Sequence, residues 1–432
     1  MIGRVTALSA LAASLAACAA PEDGPPANLL LVTIDTLRPD HLGAYGYERP
    51  TSPHLDRFAL SAVVFERAYA TSSWTLPSVA SLLTAEYPAG HRVRGRRSAL
   101  APGFVTVTER LAAAGFATGA VVSHVFFARR YGLDQGFADY DDEQICKRIE
   151  DSHKAISSPA VTEKGLAWLA SRRDAEDGRR WFLWLHYFDP HAEYLTHPGV
   201  SERFGEGAEN RYDGEIAFTD AHLGEIFDAL AELGFEHDTL AIVVSDHGEA
   251  FGEHGFGGHR LSLHEEELLV ALIVRAPGIE PRRVATPVSL VDVAPTVLEL
   301  LGVPPLPPAA GASLVPALHG EPLVRPPILA ELRSALDWRR VDAVIDDRWK
   351  LMEHRVRGIS LYDLAADPGE RRNLAARKPG VAKRLRRELQ ALKLASRRRG
   401  ETVDAAPAAP LDPELSRQLE ALGYAEGPAK EQ

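Results

Sequence analysis

The chain reads as an α/β protein with a doubly wound, mostly parallel central sheet, helices on both faces, and a smaller α+β domain after it. Three observations predict this. Asn28 to Ile34 (NLLLVTI) and Thr239 to Val244 (TLAIVV) are near-continuous apolar runs, the pattern of strands buried on both faces of a parallel sheet. Each run stops at polar residues, Asp35 after the first and Ser245, Asp246 and His247 after the second. Between the two, strand-like and helix-like segments alternate. In such a sheet, ligands sit beyond the carboxyl ends of the strands, and two acidic strand tips converge when their strands lie side by side.

The elements follow in order. Thr71 to Thr84 (TSSWTLPSVASLLT) contains a helix: Pro77 suits its first turn, Val79, Leu82 and Leu83 have helical spacing, and Thr75 falls at or just before its start. Val105 to Ala114 is a helix, Ala117 to Val122 a strand, Val161 to Ala170 a helix and Trp181 to Tyr187 (WFLWLHY) a strand. Tyr212 to Leu233 is amphipathic at helical spacing; its apolar stripe is core, and Glu215 and Asp220 are expected to face solvent or the cleft rim. Leu269 to Val274 is another buried run. Pro304 to Pro308, with Ala309 and Ala310, reads as a surface loop near the domain boundary. The smaller domain is expected to pair Ile328 to Glu331, Val341 to Ile345 and Trp349 to Met352 as antiparallel strands. Val381 to Leu394 is a packed helix with a solvated basic face. Thr402 to Pro413 is Pro/Ala-rich linker and Glu414 to Leu422 a short helix. The expected domains are 28–320 and 321–400, with 401–432 a tail; no internal repeat is evident.

With 432 residues, 45% hydrophobic and 25% charged, the chain can bury a full core. A net charge of −12 argues against a nucleic-acid surface. Residues 1–18 read as a processing segment: one positive charge at Arg4, then an Ala/Leu-rich run too short to span a bilayer. Its end, Leu15-Ala16-Ala17-Cys18, resembles the bacterial lipobox, so Cys18 is expected to be acylated and to anchor the exported protein to a membrane, with 19–27 as tether. The alternative is a plain signal peptide cut after Ala20, and a secreted product. Cys146 is the only other cysteine, so no internal disulfide is expected once Cys18 carries lipid.

An Asp-His pair at a strand tip offers a hard oxygen and an imidazole nitrogen, a donor set suited to a divalent metal. Gly248, Gly252, Gly255, Gly257 and Gly258 follow, with His254, His259, His264, Glu249 and Glu253 crowded among them. Thr75, near a helix amino terminus, lies where backbone N–H groups favour an anion, although threonine there is often only a cap.

Together these segments resemble the sulfatase branch of the alkaline phosphatase superfamily. IDTLRPDHLGAYGY and SDHGEAFGEHG look like its two metal segments, LPSVASLLT its nucleophile segment, and LYDLAADPGERRNL (Leu361 to Leu374) its closing signature. The resemblance implies a divalent cation (Ca, Mg, Mn or Zn) held by Asp35, Asp246 and His247, with the Thr75 oxygen completing the shell. The departures are specific. The family's Cys/Ser-x-Pro-x-Arg is Thr75-Leu76-Pro77-Ser78-Val79, the second Asp of the usual pair is Thr36, and the Lys-Trp-His motif is absent. Counting from Thr118 puts Ser123 at the Lys and Val125 at the His, with His124 one residue off. Oxidising a threonine would give a ketone, so no formylglycine is expected. In related phosphoesterases and phosphoethanolamine transferases a metal-bound threonine is itself the nucleophile, and Thr75 fits that pattern.

His191, after the Trp181–Tyr187 strand, matches a substrate-contacting histidine of the family; Asp189 and His191 together also suit a second metal. His259 or Arg260 lies near the family's substrate-binding Lys and would neutralise the transferring group, while His191 or His254 would protonate the leaving group. The expected activity is hydrolysis or transfer at a phosphate ester of a small anionic ester, glycan or lipid. Two alternatives are a sulfatase proper and a surface lipoprotein that binds anionic glycans or headgroups without turnover.

Overall fold

The structure is a computed structural model that describes residues 26–144, 156–175, 177–307, 309–333, 340–410 and 413–421. The signal segment, Cys18, nearly all of the tether and Cys146 lie outside the described residues.

The strands of the large sheet are β1 (Asn28–Ile34), β2 (Val63–Phe65), β3 (Ala117–Val121), β4 (Asp139–Asp141), β5 (Trp181–Tyr187), β6 (Thr239–Ser245), β7 (Leu272–Arg275) and β8 (Arg282–Val284). They lie in the order β8-β2-β7-β6-β1-β5-β3-β4. All neighbours are parallel except where β7 runs against β6 and β2. The apolar runs of β1, β5 and β6 have a simple cause. Alternate residues feed two cores: Leu29, Leu31, Phe182, Trp184 and Ile242 pack on one face, Leu30, Val32, Leu183, Leu185 and Val243 on the other. The register then decides where chemistry gathers. Ile34 pairs with Ser245 on one side and Tyr187 on the other, so Asp35 and Asp246 leave the sheet side by side.

Helix α1 (Thr75–Thr84) is buried at every residue and seals one face of the sheet. Helices α2 (Ser158–Asp174) and α3 (Ala208–Glu232) lie on the other. The expected single run at 269–274 is split: Leu269–Val270 pairs with Ala68–Tyr69, and β7 enters the large sheet. Glu215 and Asp220 depart from expectation too, because both are buried. Glu215 accepts from the backbone N–H of Leu195 and meets His197 at 2.7 Å, while Asp220 accepts from the N–H groups of His54 and Leu55 at the start of the 53–59 helix.

The smaller unit is a four-stranded antiparallel meander, β9 (Ile328–Leu332), β10 (Val341–Ile345), β11 (Trp349–His354) and β12 (Gly358–Asp363), covered by α4 (Pro379–Gly400) through Leu385 and Leu389. Its fourth strand was not foreseen. Strand β9 reaches the large unit next to Thr75: Glu331 N–H donates to the Thr71 carbonyl at 2.9 Å, and Ser72 Oγ to the Glu331 carbonyl at 2.7 Å. Part of the expected linker packs back as well, since Ala409 is buried and its N–H donates to the Arg97 carbonyl at 2.8 Å.

Candidate active site

Beyond β1 the chain turns sharply at Thr36, which takes φ +52. Thr36, standing where the family has its second Asp, holds the neighbouring loops together. Its hydroxyl donates to the Pro190 carbonyl at 3.0 Å, its N–H to Asp246 Oδ1 at 3.3 Å, and its carbonyl accepts from Tyr212 at 2.7 Å. Both oxygens of Asp35, and Oδ2 of Asp246, are buried without a hydrogen-bond partner. His247 Nε2 lies 3.4 Å from Asp35 Oδ1, 3.6 Å from Asp246 Oδ2 and 3.3 Å from Thr75 Oγ1. These separations are long for hydrogen bonds and suit neighbouring donors around one ion. The tautomer agrees: with Nδ1–H donated to the Gly248 carbonyl at 2.9 Å, Nε2 presents a lone pair. Among the described residues, Asp35, Asp246 and His247 are the only such group of three.

Burial raises the Asp35 carboxyl well above its ordinary range, and the Asp246 and Glu249 charges raise it further. A buried carboxylate with bare oxygens facing like charge is unfavourable without a cation, so the donor set fits a divalent ion. Thr75 is the first residue of α1, and the extended Trp74 occupies the cap position without a side-chain cap. The hydroxyl of Thr75 therefore does not serve as the cap.

Histidines surround this centre. His191 follows β5; its ring lies 4.9 Å from that of His259, which is 4.7 Å from that of His247. His191 Nδ1–H donates to the Ala192 carbonyl at 2.6 Å and His259 Nδ1–H to Glu249 Oε1 at 3.1 Å, leaving both Nε2 atoms as acceptors in the neutral rings. Burial pushes His191 down to about 3, with the His259 charge adding to it. A ring that resists protonation fits poorly the role of proton donor to the leaving group. Arg260 is adjacent; its N–H donates to the Ser73 carbonyl at 3.0 Å and its guanidinium lies over the Trp74 ring at 4.7 Å.

His254 does not join this group. Its Nδ1 meets Glu266 at 2.8 Å and its ring stacks on His264 at 3.6 Å. It lines a cleft of about 700 Å³ with Arg38, Asp40, Glu253, Pro368 and Arg371. Asp189 is no metal ligand either, since its two oxygens take the N–H groups of Ser157 and Ser158 at 2.6 Å each, anchoring the start of α2.

Sequence reasoning missed three residues. His124, set aside as one position off, is fully buried, with Nε2 3.8 Å from Asp35 Oδ2. Its Nδ1 accepts the Phe126 N–H at 3.0 Å, so Nε2 carries the proton in the neutral ring. Ser123, at the family's Lys position, instead donates to the His186 carbonyl at 2.7 Å. His186 puts Nε2 3.6 Å from Asp35 Oδ2; a polar residue inside the apolar run of β5 was its only signal. Glu249, named only among the side chains crowded between the glycines, is the buried partner of His259.

Comparison with known proteins agrees with this architecture. The Sulfatase family profile matches residues 27–303, and that of N-sulphoglucosamine sulphohydrolase, C-terminal, matches 252–395. The choline-sulfatase of Rhizobium meliloti is 25% identical over 81% of this chain and 82% of its own. The N-acetylgalactosamine-6-O-sulfatase of Bacteroides thetaiotaomicron is 24% identical over 85% and 93%. The phosphonate monoester hydrolase of Agrobacterium radiobacter shares the fold with a TM-score of 0.73 at 22% identity, covering 86% of this chain and 96% of that one. The chain belongs to the sulfatase family of the alkaline phosphatase superfamily and is an ester hydrolase of that family.

Proposed function

We propose that this protein is a metal-dependent phosphoester hydrolase or phosphotransferase that uses Thr75, unmodified, as its nucleophile. One observation carries the reading: Thr75 Oγ1 lies 3.3 Å from His247 Nε2, beside the bare carboxylate oxygens of Asp35 and Asp246. Asp35, Asp246 and His247, with Thr75, would hold the ion; Ca or Mg suits the carboxylates, Zn or Mn a site this rich in histidine. The bound ion supplies positive charge that lowers the pKa of the hydroxyl and screens the anionic ester.

Thr75 attacks in line, its hydroxyl proton passes to the departing oxygen as the P–O bond to the leaving alcohol breaks, and water or an acceptor alcohol then takes the phosphoryl group and returns a proton to the threonine oxygen. His124 Nε2–H and Arg260 donate to the transferring group. His191, neutral and with its Nε2 lone pair as acceptor, orients the resolving water or alcohol by accepting its hydrogen bond. A sulfate ester remains the second reading, supported by the names of the relatives. Against it stands the secondary alcohol of Thr75, which cannot give the aldehyde. The substrate class is a small anionic ester, glycan or lipid headgroup, reached by a protein held at a membrane through Cys18. Unchanged membrane fractionation of Cys18→Ser would remove that last element.

The test is metal-stripped protein, reloaded ion by ion, against aryl phosphate mono- and diesters and aryl sulfates. Thr75→Ala should lose turnover and keep its metal; wild-type substrate-trapped protein should gain one phosphoryl group at Thr75. Full turnover by Thr75→Ala would mean that water attacks directly.

A further inference from the structure

The segment that carries His259 and Arg260 runs from the tip of β6 back to the Glu265–Leu268 helical turn. Its return limb is tied to the smaller unit. Glu370, in the turn after β12, accepts at one oxygen from both His264 Nδ1, at 3.0 Å, and the Glu265 backbone N–H, at 2.7 Å. Its other oxygen lies 3.1 Å from Lys350 Nζ, which also meets Glu265 Oε1 at 3.0 Å. Lys350 comes from β11 and its side chain is wholly buried. Tyr69 donates to the second Glu265 oxygen at 3.0 Å. A cation from one unit is thus clasped between two carboxylates, one from each unit.

Buried ion groups are poor sources of net stability, because desolvation offsets their attraction; their best-attested use is to fix one arrangement against others. We propose that Lys350 and Glu370 are positioning residues: the smaller unit locks the return limb of this segment and so sets His259 and Arg260 against the Thr75 site. Glu370 itself takes φ +49, an unusual backbone state for a non-glycine residue, which aims its carboxylate at two groups of that limb. Inside the limb, Glu267 continues the tether, accepting from Ser262 Oγ at 2.6 Å and from the Leu261 N–H at 3.1 Å, one residue from Arg260. The chain of contacts from Lys350 to Arg260 is continuous.

The kinetic part of this inference rests on the proposed Thr75 chemistry, so its test carries a readout independent of turnover. Holoprotein with Lys350→Met, Glu370→Gln or Lys350→Arg is compared with wild type by amide hydrogen exchange, metal content and kinetics on whichever aryl ester the wild type cleaves. Exchange over 256–268 should rise at least tenfold in Lys350→Met and Glu370→Gln, with 75–84 and 239–247 unchanged and metal retained. The rate constant kcat should fall by tenfold or more with a smaller change in KM, and Lys350→Arg should recover part of it. Unchanged exchange over 256–268 overturns the proposal, and so does a lowered melting temperature with unchanged kcat. If Lys350→Met fails to fold, Glu370→Gln decides. If the wild type cleaves no ester, the reading of Thr75 fails, and the exchange arm still decides the lock.

Discussion

Replacing Asp35 by Asn should reverse the order of stability between the metal-free and metal-loaded states. Ligand atoms of Asp35 and Asp246 lie within 4.8 Å of each other in a fully buried site. At an effective dielectric of 20, two unit charges at that distance repel by ~3.5 kcal/mol. The metal-free wild type relieves part of this by taking up a proton at Asp35, so the net penalty at neutral pH is on the order of 1–3 kcal/mol. The Asp35→Asn change removes that repulsion and leaves an uncharged amide in the same buried cluster as Asp246. In chelator the variant should therefore melt a few degrees above wild type. With ion at a thousandfold excess over Kd the wild type gains ~4 kcal/mol, most of which the variant forgoes, and the order inverts. The sign of the pH dependence follows. A carboxyl whose folded value is raised contributes stability at acid pH and loses it as pH rises through that value, so the gap in chelator should close toward acid. The assay is thermal unfolding of both proteins in chelator and in each candidate ion. A variant that melts below wild type in chelator would refute the reasoning, because Asp35 would then have a structural partner in place of a metal.

Other outcomes can be checked on the same preparations. Thr75→Ser should keep measurable turnover, since it retains the attacking oxygen, and intact mass should show no oxidised form of wild-type Thr75. His124→Ala should lower kcat by roughly a hundredfold, the scale of removing one donor to a developing anion, with metal content unchanged; a smaller loss than tenfold would make His124 a packing residue. Burial raises the Glu370 carboxyl, but Lys350 and the His264 hydrogen bond outweigh it and hold the group at about 2. A depressed carboxyl stabilises fully above its ordinary value and loses that contribution as pH falls toward 2. Protection over 256–268, taken relative to the intrinsic exchange rate at each pH, should accordingly fall between about pH 4.5 and 2 in wild type, and less so in Glu370→Gln.

Much of the fold was legible because strands buried on both faces leave no polar alternation, so β1, β5 and β6 stand out as runs. Asp35 and Asp246 were legible for the same reason: an acid that ends such a run lies at a strand tip. The misses share a physical cause. Glu215, Asp220 and Asp189 are buried because each takes backbone N–H groups from a neighbouring segment, and helical periodicity says nothing about what loops lie over a polar face. His124 was misjudged by counting, since only the geometry after β3 turns Ser123 toward the His186 carbonyl and His124 toward Asp35. His254 sits at φ +53 within a glycine-rich turn, and its position follows from backbone that residue type does not reveal. The linker read from composition at 402–413 is partly packed, because Pro and Ala exclude regular structure without excluding burial.

The departures from the family pattern also carry a prediction about substrate charge. The positions that resemble the family's Arg and Lys hold Val79, a residue of α1 buried in the core, and Ser123, bonded to a carbonyl. In their place the site has the buried His124, His186 and His191, and His259 with its side chain largely covered, each with its pKa pushed down by burial and by neighbouring groups. Neutral imidazoles donate at His124 and accept at His191 and His259, but they do not offset a full negative charge. Among the described residues, the cation that packs over the Trp74 ring, next to Thr75 in the chain, is Arg260, with the bound ion to add to it. A dianionic phosphate monoester would bring one charge more than a phosphodiester, a phosphonate monoester or a sulfate ester into a desolvated site that also holds Asp35, Asp246 and Glu249. The two charges of a divalent ion are matched by Asp35 and Asp246 and that of Arg260 by the ester's first charge, so the second charge of a monoester faces Glu249 uncompensated; at an effective dielectric of 20 and ~5 Å this costs about 3 kcal/mol, or roughly a hundredfold in rate. Monoanionic esters should therefore be cleaved with a kcat/KM at least tenfold above that of the monoester with the same aryl leaving group, measured with the same ion. A preference for the dianionic monoester would mean that positive charge reaches Thr75 from a group other than Arg260 and the ion, and the charge accounting for this site would fail.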